Sequence, residues 1–292
     1  MKNEGASTPV ERAVWFVENR LEDEISLQSI AESVGVTEHH LARAFGMATG
    51  QSLMRYVRGR RLTEAARFLA AGEPNIFKVA LKAGYGSHEA FTRAFREHFQ
   101  VTPEQFRSAA SLNQANLVEP LRVDRSMFIQ LDEPRFEENA GLLIAGLSSR
   151  YTFETNEGIP RQWQRFATYI GSFYGQVGSE TYGVAYNCDD SGNFDYLAGV
   201  QVSQFAALPK GFTTVRTSRQ RYAVFRHSQH VSMLRRTHYT IWTARLPNSG
   251  KVIADAPNFE RYGKEFDPMT GTGSIEIWIP ISEATNGQMK RC

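Results

Sequence analysis

The sequence predicts a multidomain protein: an N-terminal all-α domain with two helix-turn-helix units over 8–107, and a C-terminal α+β domain over 125–282. Three observations carry this. Leu41-Ala42-Arg43-Ala44-Phe45 recurs as Phe91-Thr92-Arg93-Ala94-Phe95, so one unit is present twice. From about Leu121 the helical period gives way to alternating apolar and β-branched runs. That second part also repeats itself in order, strand–helix–strand–strand twice, as two pseudo-symmetric halves. A linker over 108–124 joins the domains, and 283–292 is a tail.

The elements follow in order. Thr8-Pro9-Val10-Glu11 combines an N-cap, a proline at the first helical position and a glutamate at the third, a capping box that opens the first helix. Ser26 caps a second helix through Leu27, Ile30, Ala31 and Val34, and Gly35 permits the tight turn that ends it. Thr37 caps a third, with Leu41, Ala44 and Phe45 inward at i, i+3 and i+4. Ser52 opens a long helix ending near Gly72 and Pro74. The second unit reads the same way: Asn75 caps 76–83, Gly84 breaks it, and Ser87 caps a helix with Phe91 and Phe95 inward. Thr102-Pro103-Glu104-Gln105 opens a last short helix.

Two outward faces remain. The first presents His39, Ala42 and Arg43; the second presents His88, Glu89, Thr92, Arg93 and Arg96. Arginine reads guanine bidentately, glutamate accepts from cytosine, and alanine can touch a thymine methyl, so both faces carry base-reading chemistry for double-stranded DNA. The helix between the units is about 28 Å long at ~1.5 Å per residue. Successive major grooves on one DNA face lie roughly 34 Å apart, so one chain could fill two grooves. Arg55, Arg58, Arg60 and Arg61 on this spacer suit phosphates; for any one of them a solvated surface role is an equal reading. Residues 1–107 hold fourteen basic and thirteen acidic side chains, which implies modest nonspecific affinity and specificity resting on the two reading helices.

The run from Gly84 to Arg107, with Ser87-His88-Glu89-Ala90-Phe91-Thr92-Arg93-Ala94-Phe95 at its centre, resembles the signature of the AraC/XylS family of transcription regulators. Gln100 and Phe106 depart mildly from it, where Gly and Tyr are usual. Ala42 stands where a longer polar side chain is common, which leaves first-site specificity to His39 and Arg43. The resemblance implies a DNA-binding regulator, an activator, with RNA polymerase as a partner.

In the second domain the pattern predicts a strand over 142–151, a helix over 159–170, and a hairpin of 182–187 and 196–202 around the turn 189–193. The cycle restarts with a strand over 212–227, a helix over 232–246, a strand over 258–262, a turn over 268–273 and a strand over 274–281. Two such halves leave a cleft between them. In the last strand Glu276 lies among isoleucines, and a buried carboxylate needs a partner or a ligand. Trp163, Phe166, Tyr186, Tyr196, Tyr222 and Trp278 could supply aromatic walls, an arrangement suited to a lipophilic organic cation. A pairing of Glu276 with an arginine, tyrosine or backbone group is the competing reading.

Residues 125–282, closing on Glu276-Ile277-Trp278-Ile279-Pro280-Ile281, resemble the gyrase-inhibitor-like effector-binding domain, also found in multidrug-sensing regulators. The resemblance implies that this acid, with Tyr186 near the end of its strand, binds a small-molecule effector. Two other classes stay open: a small xenobiotic hydrolase with Glu276 as general base, or a protein-interaction module.

His227, His230 and His238 lack the further ligands a metal site needs, and no glycine loop of phosphate-binding type precedes a helix, so neither metal nor cofactor is expected. Two cysteines make no disulfide framework. With no apolar leader and no run long enough to span a bilayer, a cytoplasmic setting without membrane contact is the expectation.

Overall fold

The computed structural model describes residues 7–109, 115–189, 191–206, 208 and 210–282. Seven helices form the first domain: α1 Pro9–Glu18, α2 Leu27–Val34, α3 Glu38–Thr49, α4 Leu53–Ala70, α5 Ile76–Lys82, α6 His88–Phe99 and α7 Pro103–Ala109. Local chemistry sets their starts. Thr8 and Glu11 form the reciprocal capping box, and Ser26, Thr37, Ser52, Asn75 and Ser87 each accept from the third helical amide. Gly35 ends α2 at φ +74°, left-handed backbone that glycine takes without strain.

The two units have separate cores. Leu62, Ala66, Leu69, Val79, Ala80, Phe91, Phe95 and Phe106 pack around the second half of α4. The first unit, from Val10 to Val57, instead shares one continuous cluster with Phe225, Ile241, Trp242, Leu246, Ile277, Ile279 and Ile281 of the second domain. The two domains are therefore docked through α3.

The second domain is a nine-stranded antiparallel sheet among the described residues: β1 Arg135–Asn139, β2 Leu143–Thr152, β3 Gln176–Tyr186, β4 Asn193–Val202, β5 Phe212–Arg216, β6 Gln220–His227, β7 Val252–Ile253, β8 Asn258–Tyr262 and β9 Ile275–Ser282. The order is β1-β6-β9-β8-β3-β4-β2-β5, with β7 on β9. Its centre, β6-β9-β8 against β3-β4-β2, repeats the same order about the β8–β3 pair, which is the pseudo-twofold. Helix α8, Ile159–Ala167, serves the first half and α9, Leu234–Thr240, the second.

Three local readings are corrected. The strand expected over 212–227 is two, β5 and β6, because Thr217 turns away to accept from Leu142 N at 2.8 Å. The helix expected over 232–246 starts as a 3-10 turn, Val231–Met233, and ends in a π-helical turn, Ile241–Arg245. The linker is more than a spacer. Val118 donates to Thr63 Oγ1 at 2.9 Å, Leu121 donates to the Tyr56 hydroxyl at 3.2 Å, and Leu121 and Val123 pack on the first core. The tail 283–292 lies outside the described residues.

Arg60 illustrates how this region is held. It is 3% exposed and makes a forked contact with Glu18, at 2.8 Å from Nη2, and a 2.8 Å bond to the Val118 carbonyl. Glu18 also accepts from Tyr56 at 2.6 Å. Removing a buried charge from its partner leaves the partner uncompensated. Arg60→Ala is expected to lower stability by about 3 kcal/mol in urea unfolding of the full chain, whereas the exposed Arg58→Ala leaves the midpoint unchanged.

Candidate functional site

The two reading helices differ sharply in what covers them. On α6, Glu89, Arg93 and Arg96 are exposed, while His88 and Thr92 are half-buried. Inward Phe91 and Phe95 fix the rotation of this helix, so the polar row faces away from the core. His88 Nε2 lies 3.3 Å from Glu104. Glu89, Arg93 and Arg96 lie on the outward face expected, His88 is half-buried, and the Thr92 hydroxyl is buried without a partner.

On α3 the outward face is not free. Arg43 is 2% exposed, and its guanidinium lies between the rings of Trp242 and Phe194 at 5.5 and 5.7 Å. His40, also buried, contacts the Trp242 carbonyl through Nε2 at 3.1 Å. His39 and Ala42 are half-buried in the same contact region. The expectation of an open first reading face is thus corrected: apolar surface on α3 and on the π-helical turn is withdrawn from water together, and the polar residues between are carried in with it. The cost is visible. Arg43 Nε and Nη1, His39 Nε2 and Trp242 Nε1 are buried without hydrogen-bond partners, each a penalty of roughly 1–3 kcal/mol. Ring faces offset part of it for Arg43. Burial, with the charge of Arg43 second, pushes His39 down to about 4. Burial likewise lowers His40, against its bond to Trp242.

The spacer arginines are also redistributed. Arg60 is an internal strut, and Arg61 donates to the carbonyls of Leu21 and Asp23 at 2.8 and 2.5 Å. Arg55 pairs with Glu154 of the second domain at 2.8 Å. Arg58 remains exposed.

In the second domain the acid expected to bind a ligand is occupied. Glu276 meets Arg135 and Arg261 at 2.5 Å each, and Trp278 Nε1 donates to it at 3.1 Å. Burial raises its pKa, but Arg135, Arg261 and Trp278 outweigh that and hold it below the ordinary value. Two guanidinium groups make this a poor receptor for a cation. Trp278 stacks on Phe259 and Tyr222 meets both rings edge-on, all on the same sheet face, where Tyr182 also packs. Tyr186 borders this cluster and shares a 2.9 Å hydrogen bond with Ser148.

A different acid occupies the helix-covered face. Glu260 pairs with Ile277 across β8–β9, and therefore points opposite to Glu276. Tyr196 and Tyr262 donate hydroxyl protons to its Oε2 at 2.8 and 2.9 Å, and His238 Nε2 lies 2.8 Å from Oε1. Trp163 from α8 donates to the Tyr196 hydroxyl at 3.0 Å and packs edge-on against Tyr262 at 4.9 Å. Phe166 backs Trp163 at 6.0 Å. Gly183 makes room for this meeting, since a Cβ there would lie 2.0 Å from the Tyr196 hydroxyl. Burial raises the Glu260 pKa, but the bond and charge of His238, with both tyrosines, outweigh it and keep the carboxyl below its usual range. Burial drives the two phenols well upward, so they stay protonated donors. The result is an ionised carboxylate inside an aromatic cage.

Of the expected pocket residues, the fold brings Trp163, Phe166 and Tyr196 together and leaves Tyr186, Tyr222, Glu276 and Trp278 on the other face. Glu260 and His238 were missed. The signal was present in Asn258-Phe259-Glu260-Arg261-Tyr262, an acid in a strand whose next residue on the same face is tyrosine.

His227 is committed to Thr237 and the His230 carbonyl, and among the described residues no three His, Cys, Asp or Glu side chains converge as a metal site. No described helix is long and apolar enough to cross a membrane.

Two family models match the chain. A family model described as a GyrI-like small molecule binding domain matches residues 132–282, and a helix-turn-helix domain model matches 30–109. Multiple antibiotic resistance protein MarA of Escherichia coli K12 is 33% identical over 106 residues, 36% of this chain and 84% of that protein. Transcriptional regulator Rob of Salmonella typhimurium is 31% identical over 125 residues, 41% of this chain and 43% of that protein. A solved structure of SAV2435 bound to tetraphenylphosphonium matches with a TM-score of 0.42 at 19% identity, over 52% of this chain and 94% of that one.

The α3 contact has a direct signature in solution. In the docked state His39 holds its neutral form down to about 4, whereas an exposed ring titrates near ~6.5. An undocked His39 therefore takes up a proton first as pH falls, and docking loses stability between these two values. An NMR titration of the labelled full chain should place His39 near the lower one; a midpoint near the ordinary value would mean that α3 is uncovered in solution.

Proposed function

We propose, for a chain that belongs to the AraC-type DNA-binding regulators carrying a GyrI-like small-molecule-binding domain, that it activates transcription in response to a lipophilic, cationic effector held at Glu260. RNA polymerase is the partner such an activator engages. The observation that carries the effector assignment is the ionised Glu260 carboxylate, enclosed by Trp163, Tyr196 and Tyr262 and met at its other oxygen by the His238 imidazole. A ligand cation that takes the place of His238 pairs its charge with the carboxylate beside these aromatic rings. A carboxylate held below its usual pKa argues against the hydrolase reading, since a general base works with a raised one.

On the DNA side, Arg93 and Arg96 read guanine and Glu89 accepts from cytosine, with Thr92 and His88 beside them. Arg93→Ala should cost roughly 1–3 kcal/mol of specific binding and relax base preference at its contact. Arg58→Ala should weaken all sequences alike and reduce the salt slope. Selection from random DNA checks both; unchanged base preference in the Arg93 variant would show that α6 does not read there.

For the effector, (naphthylmethyl)trimethylammonium and its uncharged carbon isostere form a matched pair. Glu260→Gln should weaken the cation about tenfold or more, an effect of ~1.4 kcal/mol, and leave the isostere little changed, while Glu276→Gln should not discriminate. Calorimetry on the full chain reads both, and equal losses for the two ligands in Glu260→Gln would assign Glu260 a structural role.

A further inference from the structure

The Glu260 cage and the covered reading helix are joined by one short element. His238, which meets Glu260, and Trp242, which meets His40 and Arg43, are four residues apart and lie one turn apart along α9 and its π-helical turn. The turn is irregular, with Leu246 N bonded back to the Ile241 carbonyl at 2.9 Å, and such π turns recur where helices serve function. Of the buried polar atoms without partners among the described residues, five lie along this line, His238 Nδ1, Trp242 Nε1, Arg43 Nε and Nη1, and His39 Nε2, while Thr92 Oγ1 and the Tyr222 hydroxyl lie elsewhere. A contact built to be permanent satisfies such groups. This one leaves them unpaired in a row between cage and reading helix.

Resting on the reading of Glu260 as the effector site and α3 as a reading helix, we propose that α9 and its π-helical turn form a latch. While Glu260 holds His238, the second domain covers α3 and α6 alone can enter a major groove. A cation that takes the carboxylate expels His238, loosens α9 from the sheet, and frees His39, Ala42 and Arg43 for a second groove. The ligand excludes the His238–Glu260 bond, so it binds the open form better, which is the differential affinity a population shift requires. Reciprocity follows: DNA that engages both helices must tighten cation binding by the same factor.

Gly46 offers a way to open the contact without a ligand. It lies on α3 against Phe153, and a Cβ there would lie 2.1 Å from the Phe153 ring, so Gly46→Ala crowds the interface while favouring helix. Glu154→Arg, on an exposed turn opposite Arg55, is a second opening variant that leaves both cores intact. His238→Ala releases the latch from the cage end. Site selection from random DNA with each full-length chain, folded by its melting profile, gives the readout; the extent of the selected site is read rather than affinity, which charge changes alter for any sequence. The wild type alone should select a single half-site. All three variants, and the wild type with (naphthylmethyl)trimethylammonium, should select two half-sites about 10 base pairs apart. Two half-sites for the unliganded wild type, or one for both Gly46→Ala and Glu154→Arg, would overturn the covering of α3. An unchanged His238→Ala, or cation binding by calorimetry without a widened site, would overturn the latch while leaving the effector site standing. A chain that selects no sequence in any form defeats the DNA reading, and the latch with it.

Discussion

The guanidinium of Arg43 between Trp242 and Phe194 fixes how the two domains meet. A helix of a small helical domain needs one buried stripe; α3 has two, one on its own unit and one on the second domain. The apolar contribution is ample, since Leu41, Ala44 and Phe45 lie in the same continuous cluster as Ile241, Trp242 and Leu246. What is unusual is the polar content carried in with it. An arginine with two unpaired nitrogens and a histidine held neutral are expensive inside an interface, and they offset part of its apolar stabilisation. Residues chosen to read bases would carry these groups in any case.

The sheet shows how position, and not residue type, decides what an acid does. Glu260 and Glu276 lie on neighbouring strands, one register step apart, on opposite faces. Glu276 shares its face with Arg135 and Arg261, and their two charges complete it. Glu260 faces the helices, where phenols and one imidazole satisfy it without surrounding it by fixed positive charge. A carboxylate of the first kind holds strands together. A carboxylate of the second kind is satisfied by hydrogen-bond donors that carry no fixed charge.

This explains which parts were legible in the sequence. Helix starts depend on a residue and the amide three places on, so Thr8, Ser26, Thr37, Ser52, Asn75 and Ser87 all read correctly. The duplicated unit and the pseudo-twofold sheet also followed, because period and order are local properties. The pocket acid did not. Glu276 and Glu260 both sit in apolar strands, and only the cross-strand register tells which face carries arginines. Nor could the covering of Arg43 be read, since its partners Phe194 and Trp242 are far away in the chain and its own helix pattern is that of an exposed face. Arg60 and Arg61 failed for the same reason: their partners, Glu18, Leu21 and Asp23, come from a helix end some forty residues earlier.

The commitment of these arginines bears on how strongly DNA can be held. Of the spacer residues, Arg60 and Arg61 are bound to the protein itself, Arg55 to the second domain and Arg67 to Glu64 and Glu119. With the chain nearly neutral overall, little sequence-independent attraction to phosphates remains. Affinity then depends on having both reading helices engaged on one rigid spacer, where the second contact forms at the high effective concentration set by the first. In a strongly basic protein, covering one helix would shift specificity but leave binding largely intact. Here it would remove most of the gain from linkage, so under the proposed latch a modest interface that covers α3 alone would be sufficient to govern DNA binding.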